Sequence, residues 1–310
     1  MSGRKKDVSL HIQKLYRKSA MANLKEVRTR IASVSSTQQI TSAMKMVSAA
    51  KFRRAQNAII GMRPYANQLN QIIADIDTDD GIQTPYHEVR RMNNVLLVVI
   101  TSNKGLCGAF NSNVIKEANN RINLYKEKGA KISIMTIGKR ATDAFSKQKE
   151  ILFESHDDLL DNASFENVAE IADELMQQFC NKQWDEIELV YNQFKNSLTQ
   201  ILTAEQFLPV AQNTQTSVQT KSHHNDYIYE PNKVRILQDM TPLTLRSQFY
   251  RVILDSLAAE HGARMTAMQN ATDNAATLLN DLRLSYNKAR QAAITNEIIE
   301  IVSGSEALKG

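Results

Sequence analysis

Met265-Thr-Ala-Met-Gln-Asn-Ala-Thr-Asp-Asn-Ala-Ala-Thr-Leu-Leu-Asn-Asp-Leu-Arg-Leu-Ser-Tyr-Asn-Lys-Ala-Arg-Gln-Ala-Ala-Ile-Thr-Asn-Glu297 decides the fold. Within it Met268, Thr272, Ala275, Leu279, Leu282, Tyr286, Ala289 and Ala293 recur at alternating steps of four and three. That is the spacing of a coiled-coil seam, not of a globular helix face. No proline follows Pro242, and no glycine lies between Gly262 and Gly304. The pattern predicts one helix from about Pro242 to Val302, roughly 90 Å long at ~1.5 Å per residue. A rod of that length cannot bury itself in a domain of this size, so it must lie along a second long helix or inside a partner.

The second helix is at the other end of the chain. From Asn23 to about Asp75 no breaker comes before Gly61 and Pro64. Leu24, Val27, Ile31 and Val34 keep the four-three spacing, and Ile40, Met44 and Val47 resume it after an apparent phase slip. Asn23 is the candidate N-cap, with Glu26 completing a capping-box-like start. Pro64 is expected to kink this helix or open its next segment. The fold class read from the chain is therefore α/β: a long antiparallel coiled coil of the N- and C-terminal helices, with an inserted α/β domain whose sheet is mostly parallel. The expected domain boundaries are an extension over 1–20 outside the fold, a coiled-coil helix over 21–80, the α/β domain over 90–210, a loop over 211–240 and the C-terminal coiled-coil helix over 241–310.

Composition narrows the class. Two cysteines in 310 residues, Cys107 and Cys180, are too few for a disulfide framework and match no metal spacing; they suit a reducing compartment. The longest apolar run, Val95 to Ile100, is far short of a membrane span, and no secretory signal is present. Net charge is +5, but residues 1–63 hold fourteen Lys or Arg against two acids, Asp7 and Glu26. Lys45, Lys51, Arg53, Arg54 and Arg63 thus put a basic cluster on the N-terminal helix. It fits an acidic partner as well as it fits a solvated helix face.

Between the helices the pattern changes. Val95 to Thr101 is a buried strand running into a glycine loop. Asn113–Lys128 reads as a helix and Lys131–Ile137 as a second strand closed by Gly138. A short helix around Arg140–Ser146 and a strand at Ile151–Phe153 follow. Then come a helix over Phe165–Cys180 capped by Asn162 or Ser164, and strands over Glu186–Phe194 and Leu198–Leu208 joined as a hairpin. Strand-helix-strand order argues for parallel pairing with an antiparallel edge. Residues 211–227 read as a mobile polar loop.

The candidate chemistry is thin. Thr101-Ser-Asn-Lys-Gly-Leu-Cys-Gly-Ala-Phe-Asn111 sits where phosphate loops sit, after a strand and before a helix. Its Gly-x-x-Gly spacing matches neither the dinucleotide fingerprint nor the P-loop, so a tight turn is the better reading. Cys107 has no histidine nearby in sequence. His223-His224 lacks further ligand spacing, and the adjacent Glu260 and His261 do not face each other on a helix. The chain carries no recognisable catalytic, cofactor-binding or metal site. A nucleic-acid-binding coiled coil is a rival on charge alone, but the C-terminal helix is not basic and no nucleic-acid motif appears.

Three long motifs carry a resemblance. Met21-Ala-Asn-Leu-Lys-Glu-Val-Arg-Thr-Arg-Ile-Ala-Ser-Val34 with Gln38-Gln-Ile-Thr-Ser-Ala-Met-Lys-Met-Val-Ser-Ala-Ala-Lys-Phe-Arg-Arg-Ala-Gln56 resembles the start of the F-type ATP synthase gamma subunit. Gly105-Leu-Cys-Gly-Ala-Phe-Asn-Ser-Asn113 resembles its central glycine turn. Ala263-Arg-Met-Thr-Ala-Met-Gln-Asn-Ala-Thr-Asp-Asn274 and Tyr286-Asn-Lys-Ala-Arg-Gln-Ala-Ala-Ile-Thr-Asn-Glu297 resemble its last helix. The resemblance implies a noncatalytic rotor shaft without a cofactor. The implied partners are the alpha and beta subunits of the catalytic ring, the epsilon subunit and the c-ring, with no nucleic acid. The implied location is peripheral, on the cytoplasmic face of a bacterial inner membrane or on the matrix side of the mitochondrial one. Carried over by motif, Met44 and Lys45 match a shaft segment near an acidic loop of beta. Arg264, Gln291 and Thr295 match positions that hydrogen-bond the ring, with Arg264 pointing outward. Ser42, Asn296 and Ser305 depart from the commoner family residues. Residues 1–20 lie outside the resemblance and read either as a start assigned upstream of Met21 or as a targeting peptide.

Overall fold

The computed structural model describes residues 3–77, 84–147, 151–196, 199–210, 230 and 232–309. The expected loop over 211–227, His223-His224 included, lies outside them. Two compact units are present. One is formed by Met1–Lys45 with Met268–Gly310, the other by Met46–Ala267.

The larger unit is built on a five-stranded sheet. Its strands are β1 (Asn94–Ile100), β2 (Lys131–Ile137), β3 (Leu152–Ser155), β4 (Glu186–Phe194) and β5 (Gln200–Leu208), in the order β3-β2-β1-β4-β5. The first four run parallel and β5 pairs antiparallel with β4. The continuous β-branched and leucine run of β1 suits the central position, because a parallel strand covered on both faces needs apolar residues at every position; Val95 through Ile100 are fully buried. Helices α2 (Phe110–Glu127) and α3 (Lys139–Phe145) cover one face, through Val114, Ala118, Ile122, Ala141 and Phe145. On the other face lies α4 (Phe165–Cys180), where the Ser164 hydroxyl accepts from Asn167 N at 3.3 Å as its N-cap. Gly138 closes β2 with φ +101°, and a Cβ there would lie 2.5 Å from the Thr101 carbonyl oxygen, so only glycine fits the crossing.

The second cover of that face comes from the long C-terminal helix. This helix, α5, runs over Lys233–Lys309. Leu245, Phe249, Val252 and Ile253 belong to the core beneath the sheet. The stretch expected to be coiled coil from residue 241 therefore begins as a domain helix. The loop expected to extend to 240 ends sooner, because Asn232 Oδ1 caps α5 by accepting from Arg235 N at 2.8 Å, and Pro242 is carried inside the helix. At the other end, α1 runs over Gly3–Asp77 with Pro64 inside it. Asn23 is therefore an interior helical residue and not a cap. The part of α1 in the larger unit packs Ala55 and Ile59 against Leu254 and Ala258 of α5.

The smaller unit is the helical pair. Arg28 Nη2 lies 3.4 Å from Tyr286 Oη, and Thr272 Oγ1 donates to Thr41 Oγ1 at 2.9 Å. Moving forward along α1 from Arg28 to Thr41 thus means moving backward along α5 from Tyr286 to Thr272, so the pair is antiparallel. On α5 the expected seam holds: Met268, Ala275 and Leu279 are buried, and Thr272, Leu282, Tyr286, Ala289 and Ala293 are half-buried between exposed neighbours.

On α1 the expected phase slip is wrong. Ile40 is 60% exposed and Val47 58% exposed, while Thr41 and Ser48 are buried. Leu24, Val27, Ile31, Val34, Gln38, Thr41, Lys45, Ser48, Phe52, Ala55 and Ile59 are all buried or half-buried, an unbroken four-three series. Geometry, not apolarity, sets the inward face. Once the register is fixed by the first heptads it carries polar side chains inward and leaves apolar ones outside.

Candidate functional surfaces

In the helical pair, the inward turn of α1 around Thr41 is held by hydroxyls. Thr41 Oγ1 donates to Gln38 O at 3.0 Å while accepting from Thr272. Met44 and Lys45 flank that turn, both half-buried. Gln291 and Thr295 are exposed on the last part of α5. Around them Ile294, Ile298, Ile299, Ile301 and Val302 are exposed as well. A helix end with this much uncovered isoleucine and valine marks an interaction surface.

Arg264 lies elsewhere and points elsewhere. It belongs to the larger unit and is only 8% exposed, so the outward orientation expected for it does not hold. Its Nη1 donates to Glu260 Oε1 at 2.6 Å, one helical turn back, and its Nη2 donates to Lys104 O at 2.7 Å. Its Nε and Nη2 both approach Gly105 O at 3.3 Å. The guanidinium thus bolts α5 to the glycine loop. Cys107 and Phe110 pack against Ala259 beside it. The physical reason is that α5 is buried on more than one side here, so a helix position flanking the seam still faces protein.

Burial pushes the Glu260 carboxyl up, and the nearby Arg264 and Lys51 charges pull it back in part. For His261, burial together with the Arg264 and Lys51 charges lowers the imidazole to about 4. His261 is therefore neutral at pH 7, and the charge partner of Glu260 is Arg264.

The glycine loop is held in place by the chain's own groups. Ser102 N donates to Asn111 Oδ1 at 3.0 Å and Ser102 Oγ donates to Lys104 O at 2.7 Å. Asn111 Nδ2 lies 3.2 Å from Cys107 Sγ, which is buried. Leu106 at φ +63° and Gly108 at φ +61° make the tight turn. A leucine in the left-handed region costs about 1–2 kcal/mol, and this one is exposed at the loop tip. The loop is a docking element for α5. Sequence reasoning found its turn but missed its partner, because Lys104 and Arg264 are 160 residues apart. No helix among the described residues is long and apolar enough to cross a membrane.

A mostly parallel α/β domain in one unit and an antiparallel pair of long helices in the other, with apolar residues exposed on the pair, define an α/β protein with a coiled-coil element. The comparisons with known proteins agree. The ATP synthase family model matches residues 23–308. The ATP synthase gamma chain of Flavobacterium johnsoniae is 53% identical over 292 residues, covering 94% of this chain and all of the relative. That of Christiangramia forsetii is also 53% identical, over 293 residues with the same coverage, and that of Bdellovibrio bacteriovorus is 44% identical over 295. Among solved structures, the Euglena gracilis mitochondrial ATP synthase (OSCP/F1/c-ring, rotational state 3) contains a chain of the same fold. It has a TM-score of 0.66 at 22% identity, covering 93% of this chain and 95% of that one. The central stalk/c-ring structure of the Tetrahymena thermophila enzyme gives 0.55 at 24% identity, covering 75% and 99%. The chain belongs to the ATP synthase gamma chain family, the noncatalytic rotor subunit of the F-type enzyme's central stalk.

Proposed function

We propose that the helical pair turns inside the ring of alpha and beta subunits, with Met44, Lys45, Gln291 and Thr295 among the residues that touch it. The α/β domain would stand with the epsilon subunit on the c-ring. The supporting observation is the exposed apolar surface of α5 from Ile294 to Val302, which water would not tolerate on a chain that works alone. An asymmetric shaft makes different contacts with each of three like subunits and so weights their conformations differently. Lys45 would offer its charge to an acidic loop of beta, and Gln291 and Thr295 would give weaker neutral hydrogen bonds. Arg264 enters this reading as a positioning residue, because its hydrogen bonds are spent on the glycine loop. Through the complex the chain would be peripheral to the membrane. The cytoplasmic face of a bacterial inner membrane suits its bacterial relatives, with the matrix side as the mitochondrial counterpart.

The test is to purify the complex carrying Lys45→Ala, Gln291→Ala or Thr295→Ala, and to compare yield, ATP hydrolysis and ATP-driven proton pumping. Contacts made in only some rotary positions should change rates at normal yield. Normal yield, hydrolysis and pumping in all three variants would remove these residues from the contact set.

A further inference from the structure

Away from the surfaces described above, one cluster of side chains is unexplained by the role of a shaft. Glu154 lies on β3, and His156 follows two residues later, on the same side of the extended chain. His156 N still donates to Thr136 O at 2.8 Å, so the imidazole is held in sheet register. Glu174 comes from α4, which packs over that edge. One ligand-capable atom from each of the three lies within 4.8 Å of the other two.

Two observations separate this group from an ordinary surface cluster. First, His156 Nε2 is sealed from solvent and has no hydrogen-bond partner. It sits 3.4 Å from Glu154 Oε1 but is not aligned to share a hydrogen with it. In the tautomer that carries its hydrogen on Nδ1, Nε2 presents a lone pair towards two carboxylates, an arrangement that a cation among them would satisfy. Second, Glu174 is aimed. Its Oε1 accepts from Gln178 Nε2 at 2.8 Å, and Gln178 Oε1 accepts in turn from Trp184 Nε1 at 2.8 Å. A carboxylate steered by a hydrogen-bonded neighbour that is itself held is the outer shell that metal ligands require. The groove beside the cluster is lined by Asp158, Asn162, Asn167 and Glu170, which gives a polar way in.

We propose that Glu154, His156 and Glu174 form a zinc(II) site that clips the edge strand β3 to α4. A mixed set of one imidazole and two carboxylates suits zinc, which accepts three protein ligands and a water in a tetrahedron. Calcium and magnesium prefer oxygen alone. Zinc–ligand bonds of ~2.1 Å put neighbouring ligand atoms ~3.4 Å apart, so the three side chains close on the ion by small rotations about bonds they already have. The clip has a use in the fold, because β3 is a four-residue strand at the sheet edge and such strands are held weakly.

The experiment uses the full chain, stripped of metal and titrated with zinc. Trp184, the only tryptophan, reports directly through the Gln178–Glu174 chain. One equivalent should bind, change the Trp184 fluorescence and raise the melting temperature. Cobalt(II) in its place should give the strong visible absorption of a tetrahedral ion. His156→Ala and Glu174→Gln should each weaken binding more than ~100-fold, and Gln178→Ala by about 10- to 100-fold. Cys180→Ser, a control for thiol binding, should leave it unchanged. Far-UV spectra and melting in chelator confirm that each variant folds; if His156→Ala does not, Glu154→Gln replaces it. The proposal is overturned by the absence of a saturable single site. It is equally overturned by zinc binding that survives His156→Ala and Glu174→Gln, or by a weak octahedral cobalt spectrum.

Discussion

Arg264 shows what a motif can and cannot say about a residue. Its type and spacing were legible, but its direction was not, because only the assembled domain puts the Lys104 and Gly105 carbonyls beside it. Arg264→Ala leaves Glu260 buried without its counter-charge, a change that costs about 3–5 kcal/mol. Melting of the isolated chain should report this loss without any ring subunit present, and an unchanged melting temperature would refute the bolt. His261 gives a pH dependence of definite sign. Its folded-state pKa, about 4, lies below the unfolded value near 6.5. The stability it confers is complete above pH ~6.5 and is lost as pH falls towards 4. Glu260, whose carboxyl is shifted up by burial and Asp161 against the opposing pull of Arg264 and Lys51, acts in the opposite sense and offsets part of the loss. Chemical denaturation at pH 7 and pH 4.5 should therefore show a smaller acid penalty for His261→Gln than for the parent chain. Equal penalties would mean that the histidine is not held neutral by the fold.

At the scale of elements, the strands and α4 could be read because each is a run of one period bounded by polar residues or glycine. Lys131–Ile137, Phe165–Cys180 and Glu186–Phe194 begin and end where the sequence placed them. The coiled coil was legible on α5, whose seam is apolar, and misread on α1, where Gln38, Thr41, Lys45 and Ser48 occupy inward positions. Apolar Ile40 and Val47 then drew the register one step too far round. Two substitutions separate the faces. Leu279→Asp buries an unpaired carboxylate and should cost several kcal/mol, seen as loss of helical pairing in the free chain. Ile40→Asp lies on the outside and should leave the free chain's melting within about 0.5 kcal/mol of the parent, while preventing assembly of the complex. Replacing Thr41 and Thr272 together by valine removes both partners of the seam hydrogen bond and should be neutral or stabilising, whereas either change alone should destabilise. A double-mutant cycle by urea denaturation measures the difference.

For the molecule as a whole, the division of labour was visible from the chain ends inward: periodic helices outside, a parallel sheet between. What was not visible is that α1 and α5 serve both units. Residues 46–77 and 233–267 of those helices belong with the sheet domain, and only the remainder forms the separate pair. No local pattern marks that boundary, since the four-three series of α1 runs through it. A chain whose glycine loop spends its Lys104 and Gly105 carbonyls on Arg264 and lacks the P-loop spacing should not hydrolyse ATP when pure. Turnover that Lys104→Ala abolished would contradict this reading of the loop.

The bare isoleucines and valine at the end of α5 have a consequence for the life of the protein in a cell. A newly made copy would carry them uncovered into a crowded solution, where exposed apolar side chains invite chaperones and proteases. Supply must therefore keep step with that of the ring subunits. A surplus should be short-lived, and its half-life should lengthen when the ring is co-expressed or when Ile298 and Ile301 are made polar. An apolar surface that waits for a partner would thus set a clock on every copy left without company.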